Sequence, residues 1–262
     1  MKYTTTYIVY FSPTHTSRTI ARAIGEGIGM GRRIEIDLTL DMSDSPIEIK
    51  DSLTILAVPV YAGRVSPTAL QRLTRLKGTN SPVILVAVYG NRAYEDALVE
   101  LRDLALERGF TPLSAGAFIG EHSYSRKNMP IAEGRPDKED LRCAEEFGKK
   151  ALDKLEKAVA LDAIYPFHIN GNVPYHEVGA STPVAPVTLP ERCTVCGECL
   201  EICPTDAIFI NEEGLIDTDK TKCIKCCACV KYCPNEARVF DTPYTAMLHE
   251  HFSARREPEV FY

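Results

Sequence analysis

Cysteine is the residue type with the clearest chemical pattern in this sequence. The chain has 262 residues and ten cysteines, of which nine fall between positions 193 and 233. Closely spaced cysteines form disulfides in oxidising compartments or bind metals and iron–sulfur clusters in reducing ones. Because no secretory leader is recognisable at the N-terminus, we expect a cytoplasmic protein whose cysteines are metal ligands.

These cysteines form an internal repeat with the spacing C-x2-C-x2-C-x3-C-P, which begins at Cys193 and again at Cys223. Cys227 lies outside the repeat pattern, and Cys143 is predicted to be a structural thiol. Zinc and a disulfide knot are the alternatives, but zinc typically takes four ligands in two separated pairs. The repeat therefore predicts eight cluster ligands: Cys193, Cys196, Cys199, Cys203, Cys223, Cys226, Cys229 and Cys233.

Residues 191–240 resemble a bacterial two-cluster ferredoxin over their whole length. The resemblance implies two 4Fe–4S clusters, each with three cysteines from one repeat and the fourth from the other. A helix that begins at Pro204 would also turn Cys203 away from its own repeat. The expected ligand sets are Cys193, Cys196, Cys199 and Cys233 for the first cluster, and Cys203, Cys223, Cys226 and Cys229 for the second.

Residues 1–160 contain the elements of an α/β fold, because short apolar runs alternate with stretches of helical periodicity. The segment 41–51 is too short and too interrupted by Pro46 for a helix, so we expect an irregular crossover there. This alternation predicts a doubly wound parallel sheet with helices on both faces. The five predicted strands are 7–11, 33–38, 53–60, 83–89 and 113–120.

A turn rich in hydroxyl groups follows the first predicted strand and leads directly into a helix. The N–H groups and dipole of a helix N-terminus favour a bound anion, although an ordinary Ser/Thr N-cap is the alternative. The turn resembles the flavodoxin motif for the FMN phosphate, with His15 in the place of a glycine. The resemblance implies phosphate contacts from Ser12, Thr14, His15, Thr16 and Ser17.

Two further loops are expected at the same edge, because the carboxyl ends of adjacent parallel strands line one crevice. The later loop resembles the Gly-Asp-x-x-Tyr loop of flavodoxins with Asn91 in the Asp position, which implies that Tyr94 stacks on the flavin. For either loop tyrosine, the alternative is a half-buried aromatic residue at a strand end. The cofactor-binding candidates are Pro59, Tyr61, Ala62, Gly63 and Arg64 in the earlier loop, and Tyr89, Gly90, Asn91 and Tyr94 in the later one.

The predicted organisation has four parts. A flavodoxin-like domain with a five-stranded parallel sheet spans 1–160, and a proline-rich linker spans 161–190. A small α+β ferredoxin domain follows at 191–240. The tail 241–262 is expected either to dock or to remain unpacked.

The two halves together resemble fusions of a flavodoxin-like domain to a two-cluster ferredoxin. This implies low-potential electron transfer between FMN and two 4Fe–4S clusters, with redox proteins as donor and acceptor. The alternative is a reductase in which the clusters feed the flavin and His122, Tyr124 and Arg64 contact a small-molecule substrate. A redox sensor is a third alternative, for which Cys227 is the only indication. The net charge of −6 argues against a nucleic-acid partner, and no apolar run is long enough for a membrane span.

Overall fold

The fold is described from a computed structural model that covers residues 3–29, 31–179 and 182–262. The helices are α1 (Thr16–Ile28), α2 (Pro67–Leu73), α3 (Ala97–Glu107), α4 (Lys138–Lys157), α5 (Glu198–Glu201), α6 (Ala228–Lys231) and α7 (Pro243–Phe252). The strands are β1 (Thr5–Tyr10), β2 (Arg32–Asp37), β3 (Ile47–Lys50), β4 (Leu53–Tyr61), β5 (Arg64–Val65), β6 (Leu76–Thr79), β7 (Pro82–Tyr89), β8 (Thr111–Ile119), β9 (Val187–Thr188), β10 (Ile208–Ile210), β11 (Ile216–Thr218), β12 (Arg238–Val239) and β13 (Glu259–Phe261).

Five parallel strands form the central sheet in the order β2-β1-β4-β7-β8. This is the strand order of a flavodoxin-like doubly wound sheet, so the predicted fold class is confirmed. The order reverses between β1 and β4, which makes the carboxyl ends of these two strands the topological switch point.

The two faces of the sheet carry separate hydrophobic cores, because side chains alternate along each strand. On one face Ile8 packs with Ile20 of α1 and Phe147 of α4. On the other face Val9 belongs to the same core as Leu73 of α2 and Leu98 of α3. The helices therefore hold the sheet rigid from both sides and leave its carboxyl edge to the loops.

The crossover after β2 differs from its prediction in one respect. It contains no helix among its described residues, as expected, but the short strand β3 forms within it and pairs in parallel with β6. Leu76 continues the helical spacing of Leu70 and Leu73. However, α2 ends at Leu73, and Leu76 lies in β6. Burial alternates along both strands, with Ile49 and Leu76 on the buried side, and this period-two burial favours strand pairing.

The tail docks onto the sheet domain. Strand β13 pairs antiparallel with β8 and extends the sheet by one strand at that edge. Helix α7 precedes it and buries Leu248 completely. The tail is therefore docked on the sheet domain, which is one of its two expected states.

The connector between α4 and the cysteine region also lies against the sheet domain. Ile169 is 5% exposed and belongs to the core beside α3, and Phe167 and Tyr175 pack against the same core. The connector therefore runs along the sheet domain and is anchored there by apolar side chains. Throughout the described part of the chain, no helix has the length and apolar character needed to cross a bilayer.

The cysteine region forms a small α+β unit. Strands β10 and β11 form an antiparallel hairpin around Gly214, and β9 pairs antiparallel with β12. Short helices α5 and α6 follow corresponding cysteines of the two repeats. The internal repeat is thus a structural repeat as well.

Candidate functional site

The eight repeat cysteines surround two cavities. The first cavity is lined by Cys193, Cys196, Cys199 and Cys233, and the second by Cys203, Cys223, Cys226 and Cys229. The fourth cysteine of each repeat therefore lies with the other repeat, which is the crossed arrangement that the sequence predicts. Among the described residues, no three His, Cys, Asp or Glu side chains come together in the geometry of a single-ion site.

Matched backbone conformations shape the two cysteine loops. Val195 and Gly197 have φ of 53° and 85°, and their counterparts Lys225 and Cys227 both have φ of 58°. These left-handed residues curl the chain around each cavity. In each repeat a backbone N–H donates to the fourth cysteine, from Ala207 to Cys203 Sγ and from Ala237 to Cys233 Sγ, both at 3.3 Å.

The thiols fit iron–sulfur ligation in number, grouping and surroundings. Burial raises the pKa of the Cys229 thiol to about 11, so a bound metal would have to displace its proton. Two sets of four thiols, each with an N–H group directed at one sulfur, are the donors that 4Fe–4S clusters use.

The turn before α1 has the features of a phosphate site. His15 has φ of 64°, the conformation that glycine adopts most readily, so this residue does not alter the backbone of the motif. The Ser12 hydroxyl accepts a bond from Arg18 N at 3.0 Å. The Ser17 hydroxyl is buried and has no hydrogen-bond partner in the described structure. Such an unpaired buried hydroxyl is costly without a ligand, so Ser17 fits a bound phosphate group.

The earlier candidate loop is a two-residue hairpin turn between β4 and β5. Ala62 and Gly63 both have positive φ, which is the conformation of a type I′ turn. Tyr61 is therefore the last residue of β4, and Arg64 is the first residue of β5. Arg64 donates to Glu100 of α3 at 3.0 Å and to the His176 carbonyl at 3.0 Å, so it anchors the connector.

Asp96 and His176 hold this hairpin in place, and sequence reasoning missed both. The Asp96 side chain is fully buried and accepts bonds from Asn172 N at 2.7 Å and from His176 N at 2.8 Å and Nδ1 at 2.7 Å. His176 Nε2 lies 2.9 Å from the Ala62 carbonyl oxygen. Burial acts to raise the pKa of Asp96, but these bonds hold it well below its usual value. The Ala62 carbonyl and Asp96 raise the pKa of His176.

Asp96→Ala is expected to release the connector. Removing the carboxylate takes away the shared acceptor of Asn172 and His176, and a bond to a charged group contributes about 1.5–3 kcal/mol, so local opening should increase by at least tenfold. Hydrogen exchange of residues 170–177 measures this opening. Asp162→Ala, which removes an exposed carboxylate of the connector, is the control and should change nothing.

The same contact predicts a pH dependence in the unaltered protein. The depressed pKa of Asp96 stabilises docking above the ordinary Asp pKa of about 4, and this contribution is lost as the pH falls further. The raised pKa of His176 stabilises docking below about pH 6.5 and is lost as the pH rises through its folded value. Connector protection, corrected for intrinsic exchange, should therefore be greatest between these limits. Equal protection at pH 6 and pH 9 would contradict this.

The later candidate loop is largely covered by the tail. Tyr94 is 7% exposed, packs against Tyr89 and donates to Glu259 of β13 at 2.6 Å. Asn91 donates to the carbonyls of Phe252 and Ala254 at 2.6 and 2.8 Å. The structure therefore places Tyr89 and Tyr94 in the core, and only Gly90 remains at the sheet edge, where the His122 ring lies against it.

The second cavity lies against the carboxyl edge of the sheet. Burial raises the pKa of Tyr61 well above its usual value, and the nearby Cys226, Cys227 and Tyr124 raise it further. Tyr124 lies near the same cysteines and packs edge-on against Phe240 at 5.1 Å between ring centroids. Two tyrosines thus lie close to the second cysteine set at this edge of the sheet.

Three polar contacts fix this arrangement. The Tyr232 hydroxyl lies 3.0 Å from His15 Nδ1, with the ring centroids 5.0 Å apart. Lys231 forms an ion pair with Glu121 at 2.6 Å. Arg72, which is 6% exposed, donates to the carbonyls of Leu38 and Thr39 and to that of Pro204. The two domains are therefore joined at the phosphate turn and at the second cavity.

Comparison with known protein families identifies the cysteine region. Residues 186–209 and 216–239 match the 4Fe-4S binding domain family, so the chain carries a ferredoxin domain with two repeats that begins within the predicted linker. No curated protein matches the chain in sequence.

Among solved structures, the sheet domain is similar to several flavodoxins and to an oxidoreductase. A flavodoxin from the domain Archaea is 14% identical with a TM-score of 0.37, over 58% of this chain and 99% of its own. The Fusobacterium nucleatum flavodoxin bound to flavin mononucleotide is 15% identical with a TM-score of 0.38, over 58% and 97%. Rubredoxin oxygen:oxidoreductase from Desulfovibrio gigas is 14% identical with a TM-score of 0.39, over 59% and 37%. The strand order of the sheet, and not these scores, defines the fold.

Proposed function

We propose that this protein relays electrons between an FMN held at the carboxyl edge of the sheet and two 4Fe–4S clusters. When bound, FMN exchanges one or two electrons and each cluster exchanges one. The observation that supports the relay most directly is the position of the second cavity, whose cysteines lie near Tyr61 and Tyr124 at this edge. The sequence of cofactors would be first cluster, second cluster and flavin.

The chain's own residues supply position in this proposal. Ser12, Thr14 and Ser17, with the N–H groups at the start of α1, would hold the phosphate. Tyr61 and Tyr124 would exclude water between flavin and second cluster, and the contact of Tyr232 with His15 would keep the two domains in register.

An exposed rim at the first cavity would receive the redox partner. Cys196 is exposed, and the acidic residues Glu191, Glu198 and Glu201 are exposed around the same repeat. A partner with a basic docking patch is the electrostatic complement of this rim. We therefore place the exchange with donor or acceptor proteins at the first cluster.

The small-molecule reductase is the less favoured alternative. In that alternative His122 is expected to contact the substrate, and a protonated histidine there would be a suitable proton donor. Burial lowers the pKa of His122 to about 4, with Lys231 and Arg92 contributing, so its imidazole is neutral near pH 7. A neutral imidazole with this pKa is a poor acid at that pH.

The relay is tested by following electron transfer within the anaerobically purified protein. We expect FMN, iron and sulfide in the preparation, and after a reducing pulse the flavin and cluster signals should equilibrate in a first-order step. The rate should not depend on protein concentration, because the cofactors belong to one chain. A rate that rises with protein concentration, FAD in place of FMN, or a protein without flavin would contradict the proposal.

A further inference from the structure

Arg238 lies between the two cysteine cavities. It is 2% exposed and lines the first cavity together with Cys199 and Cys233. Its Nη2 lies 3.9 Å from the Sγ of Cys229, which belongs to the second cavity. One buried guanidinium thus reaches the ligand sets of both proposed clusters.

The positive charge of Arg238 is not neutralised by the surrounding protein. Its nitrogens donate to Thr188 Oγ1 at 2.6 Å, to the Pro186 carbonyl at 3.1 Å and to Thr218 Oγ1, all of which are uncharged. Its Nε is buried without a partner, and none of the ion pairs found among the described residues includes Arg238. A buried charge is costly unless an opposite charge accompanies it.

Two clusters would supply that opposite charge. Four thiolates outweigh the positive charge of a 4Fe–4S core, and reduction makes each cluster more negative by one charge. A positive group at contact distance therefore stabilises the reduced cluster more than the oxidised one. Hydrogen bonds to the cluster sulfurs act in the same direction and are an established control of reduction potential.

The internal repeat indicates that the fold does not require an arginine here. Arg238 stands five residues after Cys233, and the matching position after Cys203 is Ile208. Ile208 is 8% exposed and lines the second cavity, as Arg238 lines the first. An apolar side chain fills the equivalent place in the other repeat, so an arginine is not needed to fill it.

We propose that Arg238 raises the reduction potentials of the clusters, and most strongly that of the second cluster, whose ligand Cys229 it contacts. Electrons that enter at the exposed first cluster would then collect on the cluster beside the sheet edge. This inference rests on the proposed relay, because it assigns a direction to electron movement within it.

Arg238→Met tests the proposal by removing the charge and keeping a side chain of similar length. Redox titration followed by EPR should show the potential of the second cluster falling by about 59 mV or more, which is a tenfold change in its one-electron equilibrium. The first cluster should shift less. Arg192→Met is the matched control, because Arg192 is exposed beside Cys193 and its charge is screened by water, so its loss should shift neither potential by a comparable amount.

A measurement on the unaltered sequence covers the case in which Arg238→Met does not assemble. Protein labelled with 15N only in arginine should show a 15N coupling to the reduced second cluster in pulsed EPR. The coupling should disappear in Arg238→Lys, which keeps the charge but lacks the guanidinium nitrogens.

The outcomes separate the two proposals. Potentials that do not change in an assembled Arg238→Met protein, or the absence of an arginine coupling in the unaltered one, would overturn the role of Arg238 while leaving the relay intact. An unaltered protein that purifies anaerobically without iron–sulfur clusters would overturn the relay itself.

Discussion

Cys203→Ser is expected to damage the cluster bound by Cys223, Cys226 and Cys229 and to leave the cluster of its own repeat closer to normal. Cys203 lines the second cavity with those three cysteines, whereas the first cavity is completed by Cys233. Loss of one thiolate from a set of four should remove one cluster, and roughly half of the bound iron should be lost with it. Iron analysis and EPR of the dithionite-reduced protein measure this effect.

Cys227→Ser is the matched control for this experiment. Cys227 also borders the second cavity, but its Sγ donates to the Lys225 carbonyl at 3.5 Å, and its place in the other repeat is taken by Gly197. Both clusters should therefore survive this substitution. Damage confined to the first cluster in Cys203→Ser, or loss of a cluster in Cys227→Ser, would show that the ligand assignment is wrong.

Ser17→Ala is expected to weaken FMN binding by tenfold to about a hundredfold without destabilising the fold. A hydrogen bond to a charged group contributes about 1.5–3 kcal/mol, and one factor of ten corresponds to about 1.4 kcal/mol. In the absence of ligand the Ser17 hydroxyl is buried and unpaired, so its removal deletes no contact within the protein. Fluorescence titration of the apoprotein gives the affinity, and urea denaturation of the same apoprotein gives the free energy of unfolding.

Thr19→Ala distinguishes a phosphate contact from a general effect on the helix start. The Thr19 hydroxyl donates to the His15 carbonyl at 2.8 Å, so its loss affects the same turn of α1 from the outside. This variant should lose some stability and retain FMN. Unchanged FMN affinity in Ser17→Ala would remove the hydroxyl from the phosphate site.

The sheet and the cysteine sets were predictable because their signals are local. The apolar runs that became β4 and β7 are buried on both faces, so each is visible as a continuous run in the sequence. The cysteine spacing encodes the ligand loops directly, but the helix expected to begin at Pro204 is not found, since residues 204 and 205 form a turn.

The surroundings of Tyr94 and Arg64 were not predictable in the same way. Tyr94 is covered by Glu259 and Asn170, and Arg64 is held by Glu100 and His176, which are residues far away in sequence. Strand β13 has only three residues, too few for an alternation to be recognised. The contact between His15 and Tyr232 joins residues 217 positions apart, and nothing in the sequence around either residue indicates the other.

The ferredoxin domain is inserted between two segments that both bind the sheet domain. On one side the connector is held by Asp96, and on the other the tail is held through the pairing of β13 with β8. A domain on a single flexible tether samples many orientations, whereas two short attachments restrict both its distance and its rotation. In the proposed relay, these two attachments would hold donor and acceptor cofactors together before any partner binds. A nick in either attachment would leave the other to keep those cofactors at high effective concentration.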